Sequence, residues 1–130
     1  MSGILAQAFE PAHRAIEKLA EVASPAALRN SVPIAKALAS HLPGTGLVVE
    51  VAAGAGVHAA VMAAQFPYLD WQPTDLEPHA IAITAQVVKH LGLENLRPAV
   101  KLDVCYEPWP ILNASAILCC LSLIHISAPT

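Results

Sequence analysis

Gly46-Leu47-Val48-Val49-Glu50-Val51-Ala52-Ala53-Gly54-Ala55-Gly56-Val57-His58-Ala59-Ala60 is the stretch that decides the fold. Leu47–Ala52 is an apolar, β-branched run, the composition of a buried strand. A short turn follows, with glycines at 54 and 56. Val57–Phe66 is rich in Ala and Met and predicts a helix. Strand, Gly-rich turn and helix together form a nucleotide-binding geometry. Glycine reaches positive φ and carries no Cβ, so a ligand can approach the backbone closely. The helix that follows aims its unpaired N–H groups and positive dipole end at that ligand.

Two ligand classes use this device. Gly54-Ala55-Gly56-Val57-His58-Ala59 fits G-x-G-x-x-G/A, the dinucleotide fingerprint. Glu50 points elsewhere, because a carboxylate near the end of a covered parallel strand is costly without a partner. An acidic residue followed by a small-residue turn resembles motif I of class I S-adenosylmethionine (SAM) methyltransferases. That resemblance places Glu50 near the methionine end of SAM, and the turn against its sugar and methionine portions. One departure is plain: Ala52 stands where the motif's first Gly usually does.

Composition bounds the rest. The chain has 130 residues, enough for one domain with a substantial core. Charged residues make up 13%, against roughly 25% in an average domain. Such a chain has little solvated surface, and some of its apolar surface is expected to meet a partner or a further segment. Net charge is −3 with no basic cluster, which argues against nucleic acid as an electrostatic partner. The N-terminus lacks the pattern of a signal peptide, and the apolar run Ala114–Ile126 is too short for a membrane span. Cys105, Cys119 and Cys120 read as buried thiols of a reducing, cytoplasmic compartment. They show no C-x-x-C spacing, so no metal site is expected from them.

In chain order, residues 1–22 predict an amphipathic helical segment broken near Pro11, and 23–130 a partial SAM-binding domain. Ser24-Pro25 starts a second helical piece, which Arg29-Asn30 interrupts. Ser31-x-Pro33 restarts a helix through Leu42, stopped by Pro43-Gly44. Leu69–Thr74 is a short second strand, and Pro73 within it predicts an edge or strand-end location. Asp75 or Glu77 caps a helix with Pro78 at its first position, running to about Leu91 and stopping at Gly92. Ala99–Asp103 is a third strand, Glu107-Pro108-Trp109-Pro110 a stiff loop, and Ala114–Ser122 a fourth, buried strand. The alternation predicts an α/β fold: a Rossmann-like parallel sheet with helices on both faces.

Asp75 lies about 20 residues beyond Gly54, at the end of the second strand, where an acidic side chain can accept both ribose hydroxyls of an adenosine ligand. A simple N-cap is the other role open to it. Asp103 also ends a strand. In SAM enzymes this position borders the adenine, with the next backbone N–H, here Val104, nearby; a turn-forming Asp is the alternative. His58 either lines the pocket or sits in the first helical turn. Trp71 and Trp109 read as packing residues.

Resemblance to one family becomes specific in several short stretches. They are Ser24-Pro25-Ala26-Ala27-x-Arg29-Asn30, Glu50 through Gly56 with His58-Ala59, Trp71-Gln72-Pro73-x-Asp75, Leu102-Asp103-Val104, Trp109-Pro110 and Ile124-His125-Ile126-Ser127. In this order they resemble the methyltransferase-like proteins catalogued as domain of unknown function 938, over nearly the whole chain. The resemblance implies a class I methyltransferase-like fold, SAM as cofactor and an unassigned methyl acceptor. It implies cofactor-binding roles for Glu50, Ala52, Gly54, Gly56, His58, Asp75, Asp103, Val104, Arg29 and Asn30. Arg29 and Asn30 would belong to a segment covering the pocket, the Arg suited to a carboxylate. His125 would be a base facing the methyl group, or a His hydrogen-bonded in the strand-to-helix turn.

Departures from the family are Leu28 for a usual Glu, Ala116 or Ser115 for an Asp, and Ser122 for an Asn. A class I sheet has seven strands and four can be counted, so the chain reads as C-terminally truncated. The fourth strand would then be an exposed apolar edge prone to self-association. Two other readings stand beside the enzyme: a non-catalytic cofactor-binding or interaction protein of the same fold, and an NAD-dependent oxidoreductase.

Overall fold

The computed structural model describes residues 8–111 and 113–120. Helices α1 (Glu10–Leu19) and α2 (Pro25–Leu38) precede β1 (Gly46–Val51), α3 (Val57–Gln65), β2 (Leu69–Asp75), α4 (Pro78–Leu91), β3 (Val100–Lys101) and β4 (Ala114–Cys119). The strands form a parallel sheet in the order β3-β2-β1-β4. This is a Rossmann-like α/β sheet. The chain runs outward from β1 to β3 and then returns to the other side of β1. That reversal opens a crevice at the carboxyl ends of β1 and β4, where open α/β sheets bind ligands.

Strand alternation explains the core. Val48 and Glu50 point to one face of β1 and Val49 to the other. The first face, continued by Leu69, Trp71, Ala116 and Leu118, meets the helices in one apolar cluster. In that cluster α3 touches α1, α2 and α4, so the described helices form one layer on one face of the sheet, where helices on both faces were expected. α1 contributes Ala12, Ala15 and Leu19, a stripe at helical spacing, all buried. Gln65 of α3 ties the start of α1 down: its Oε1 accepts from the Ala12 N–H (3.2 Å) and its Nε2 donates to Ala8 O (2.6 Å).

Several local expectations are corrected. Pro11 begins α1 instead of breaking it, because the first turn has no intrahelical N–H bonds to lose. α2 is continuous through Arg29-Asn30 and contains Pro33. Ser24 caps it by accepting from the Ala27 N–H, and packing against α1 and α3 holds it across the proline. Pro73 lies in an interior strand. Trp71 and Asp75, two residues either side, direct their backbone toward the β3 side, where Trp71 N–H bonds Asn95 O and Leu102 N–H bonds Asp75 O. Pro73 therefore turns its missing donor toward the gap between Leu96 and Val100, where no ladder exists. β4 is largely exposed, with Ile117 59% accessible, where a buried strand was expected. Cys105 and Cys119 are likewise exposed and only Cys120 is partly covered. His125 lies outside the described residues. Among those described, no helix is long and apolar enough to cross a membrane.

Ala52 holds φ at 56°, a left-handed conformation that costs a non-glycine residue about 1 kcal/mol or more. Glycine there relieves the strain but adds freedom to the unfolded chain. Ala52→Gly is expected to stabilise the protein by roughly 0.5–1 kcal/mol, the difference of those effects. Thermal melting checks this, and a lowered melting temperature contradicts it.

Candidate functional site

β1, β2 and β3 end side by side at Val51, Asp75 and Lys101. The glycine turn crosses that edge between β1 and α3. Ala53 N–H bonds Thr74 O at 2.9 Å, and Gly56 N–H bonds Ala53 O at 3.0 Å. Gly56 is the N-cap of α3 with φ 77°, and a Cβ there would stand 2.6 Å from Thr84 Cγ2. Only glycine fits. Gly54, with φ 60°, has open space where its Cβ would be. The turn is thus packed tightly on Thr84 at one glycine and open at the other.

Asp75 holds the turn from the second strand. Its Oδ2 accepts from the Gly54 N–H at 2.9 Å and its Oδ1 from the Glu77 N–H at 3.0 Å. The expected side-chain cap on α4 is not formed by Glu77, which is the N-cap residue without a side-chain bond. A carboxylate offers about four acceptor positions, and among the described residues two of those on Asp75 are filled. Thr84, on the buried face of α4, donates from Oγ1 to Gly54 O at 2.9 Å. Sequence reading passed over Thr84. Its signal was a lone hydroxyl at helical spacing from Val87 on an otherwise apolar face.

Glu50 is 1% exposed, on the helix-facing side of β1. Its Oε2 lies 3.9 Å from His58 Nδ1, too far for a hydrogen bond, and its Oε1 has no partner among the described residues. Burial pushes its carboxyl up to about 8; the nearby Ala59 backbone N–H opposes this and the Asp75 charge adds to it. At neutral pH the free protein therefore holds Glu50 mostly protonated. Burial also lowers the His58 imidazole below its ordinary value, so that ring is neutral. His58 Nε2 is buried without a partner among the described residues. Cys120, just past β4, completes a group in which a carboxylate oxygen, an imidazole nitrogen and a thiol sulfur lie within 4.8 Å of one another. The cysteine spacing alone did not foreshadow it.

Glu50, Ala52, Gly54, Gly56, His58 and Asp75 thus come together at one end of the sheet. Asp103 and Val104 follow β3 at the same edge, because Leu102 N–H bonds Asp75 O. Asp103 Oδ1 accepts from the Cys105 N–H at 3.0 Å, the turn-forming role, and Val104 is 48% exposed. Arg29 and Asn30 are exposed on α2, with no hydrogen bond or ion pair to this group among the described residues. Trp71 is fully buried and stacked on Phe66 at 6.4 Å between ring centres, a packing residue as expected.

The strand order, the acidic β1 and the glycine turn backed by a second-strand Asp define a class I SAM-dependent methyltransferase fold. Solved structures agree on that fold. A SAM-dependent methyltransferase from Aquifex aeolicus is 20% identical with a TM-score of 0.63, over 88% of this chain and 61% of that one. SAM-bound CalS10, an amino pentose methyltransferase from Micromonospora echinaspora, is 17% identical with a TM-score of 0.56, over 78% and 39%. PKMT2 from Rickettsia typhi, in complex with AdoHcy, is 19% identical with a TM-score of 0.52, over 84% and 18%. The chain therefore spans less than two thirds of each of these structures. The family model described as "Protein of unknown function (DUF938)" matches residues 21–130, and the chain belongs to that family.

Proposed function

We propose that this protein binds SAM at the Gly54–Gly56 turn and belongs to a methyl-transfer enzyme. One observation carries the reading: an Asp75 carboxylate with acceptor positions to spare and a buried Glu50 carboxyl, whose Oε1 has no partner among the described residues, flank an open glycine turn. Asp75 would receive the two ribose hydroxyls on its free acceptor positions. Glu50 would receive the ammonium of the methionine portion and release its own proton to solvent as it does so. Asp103 and the Val104 N–H would border the adenine, and the first turn of α3 with His58 would back the methionine portion. SAM supplies a sulfonium-activated methyl group. The protein's part is to hold it in line with the acceptor nucleophile and exclude water.

Glu50 separates this reading from a nicotinamide enzyme. An ammonium would draw the buried Glu50 carboxyl into its ionised form and pair with it, whereas a pyrophosphate gains no such pairing from the protonated acid and is repelled by the ionised one. Calorimetry with SAM, S-adenosylhomocysteine and NAD is expected to give binding of the first two in preference to NAD. Tighter binding of NAD contradicts the proposal.

A further inference from the structure

The Glu50–His58–Cys120 group has a second use. In the β1–β4 register Glu50 pairs with Leu118 and Val51 with Cys119. Alternation then turns Cys120 to the same face as Glu50. His58 reaches this face from the first turn of α3. Three elements thus converge three different donor atoms within 4.8 Å of one another. Two of these side chains carry a buried atom, Glu50 Oε1 and His58 Nε2, with no hydrogen-bond partner among the described residues. Glu50 is 1% exposed, so its carboxyl cannot turn to solvent for one.

We propose that Glu50, His58 and Cys120 form a site for a divalent transition-metal cation of the zinc type, with its fourth position open to water or a small ligand. A carboxylate oxygen, an imidazole nitrogen and a thiolate sulfur are together a borderline-soft donor set, which suits zinc and cobalt and disfavours magnesium or calcium. Ligands about 2.0–2.3 Å from a tetrahedral centre stand roughly 3.3–3.8 Å apart, so donors within 4.8 Å of one another close by about 1.5 Å at most. Among the described residues Cys120 follows the last paired residue of β4, so no ladder pairing holds its backbone.

Binding exchanges two protons, one from the carboxylic acid and one from the thiol, for one dication, and both protons leave to solvent. The buried site stays neutral: a 2+ ion with one carboxylate, one thiolate and a neutral imidazole. The Asp75 carboxylate, whose charge disfavours ionised Glu50, would instead attract the cation. The Glu50 carboxyl cannot serve a metal and the SAM ammonium together, so the two occupants exclude each other.

The test uses metal alone and does not rest on SAM binding. Co2+ is titrated into the intact chain and into Cys105→Ser, Cys119→Ser, Cys120→Ser and His58→Gln, following the thiolate-to-cobalt charge-transfer absorption. The expected result is one Co2+ per chain with this absorption in the unaltered protein and in the Cys105 and Cys119 variants. The absorption is lost in Cys120→Ser, and affinity falls about tenfold or more in His58→Gln. No absorption at millimolar Co2+, or absorption that survives Cys120→Ser, overturns the site. A second measurement needs no variant: Zn2+ should slow alkylation of Cys120 in the unaltered chain and leave the exposed Cys105 and Cys119 unprotected. Equal rates at Cys120 with and without Zn2+ also overturn it.

Discussion

Asp75→Asn is expected to weaken SAM binding by roughly 1.5–3 kcal/mol, about 10- to 150-fold, the range for hydrogen bonds to a charged acceptor. The carboxylate receives the Gly54 and Glu77 N–H groups and has an acceptor position on each oxygen that the proposed ribose contact would use. Asn offers one oxygen and turns an NH2 toward an N–H donor. One amide therefore loses its partner, and stability falls by about 1–2 kcal/mol as well. Loss of stability alone does not show contact with the ligand, so a control is needed. Thr84→Val removes the bond from Thr84 Oγ1 to Gly54 O and loosens the same turn from beneath. It should cost a similar stability and change affinity about threefold or less, since Thr84 sits behind the turn. Calorimetry and melting of both variants decide the matter. Equal losses of affinity in the two would mean that Asp75 only shapes the turn.

The second large effect concerns Glu50 and pH. Unfolded, this carboxyl titrates near 4.5; folded, burial raises it to about 8. Between those values the folded chain keeps a proton that the unfolded chain has lost. Its contribution is therefore complete below about pH 4.5 and falls as pH rises, gone above about 8. The slope approaches about 1.4 kcal/mol per pH unit, a few kcal/mol across the window. His58 acts oppositely: its lowered value makes stability fall as pH drops through the range where the unfolded imidazole charges. The difference between the natural chain and Glu50→Gln removes that background. Glu50→Gln, uncharged throughout, should gain a few kcal/mol over the natural chain between pH 5 and pH 8. The same variant should bind SAM more weakly, having lost the partner of the ammonium. Denaturant unfolding at the two pH values tests the first part. A stability difference that does not change with pH would show that Glu50 ionises normally.

The fold was legible because its signals are long. The β-branched run at Leu47–Val51, the glycines at 54 and 56 and the Gly92 stop all lie where the backbone needs them. The motif spacing also brought Glu50, Gly54, Gly56 and Asp75 to one sheet edge. What escaped was decided by neighbours distant in sequence. Pro73 is tolerated in an interior strand because its ring faces a gap in the β2–β3 ladder. Pro33 stays within α2 because α1 and α3 pack against that helix. Thr84 carries no motif, yet its methyl group dictates glycine at 56. Cys120 joins Glu50 only through the β1–β4 register, which no local pattern encodes. The left-handed Ala52 was visible as a missing glycine, but the strain it carries was not.

Amide chemical-shift mapping with S-adenosylhomocysteine tests the central claim most directly. It reads the position of the ligand on the folded chain without asking for turnover or an acceptor. Saturable shifts are predicted at Gly54, Gly56, His58, Leu76 and Val104, the amides at and around the shared edge of β1, β2 and β3. Saturable shifts confined to other parts of the chain, or none at millimolar ligand, would contradict the placement of SAM at this turn.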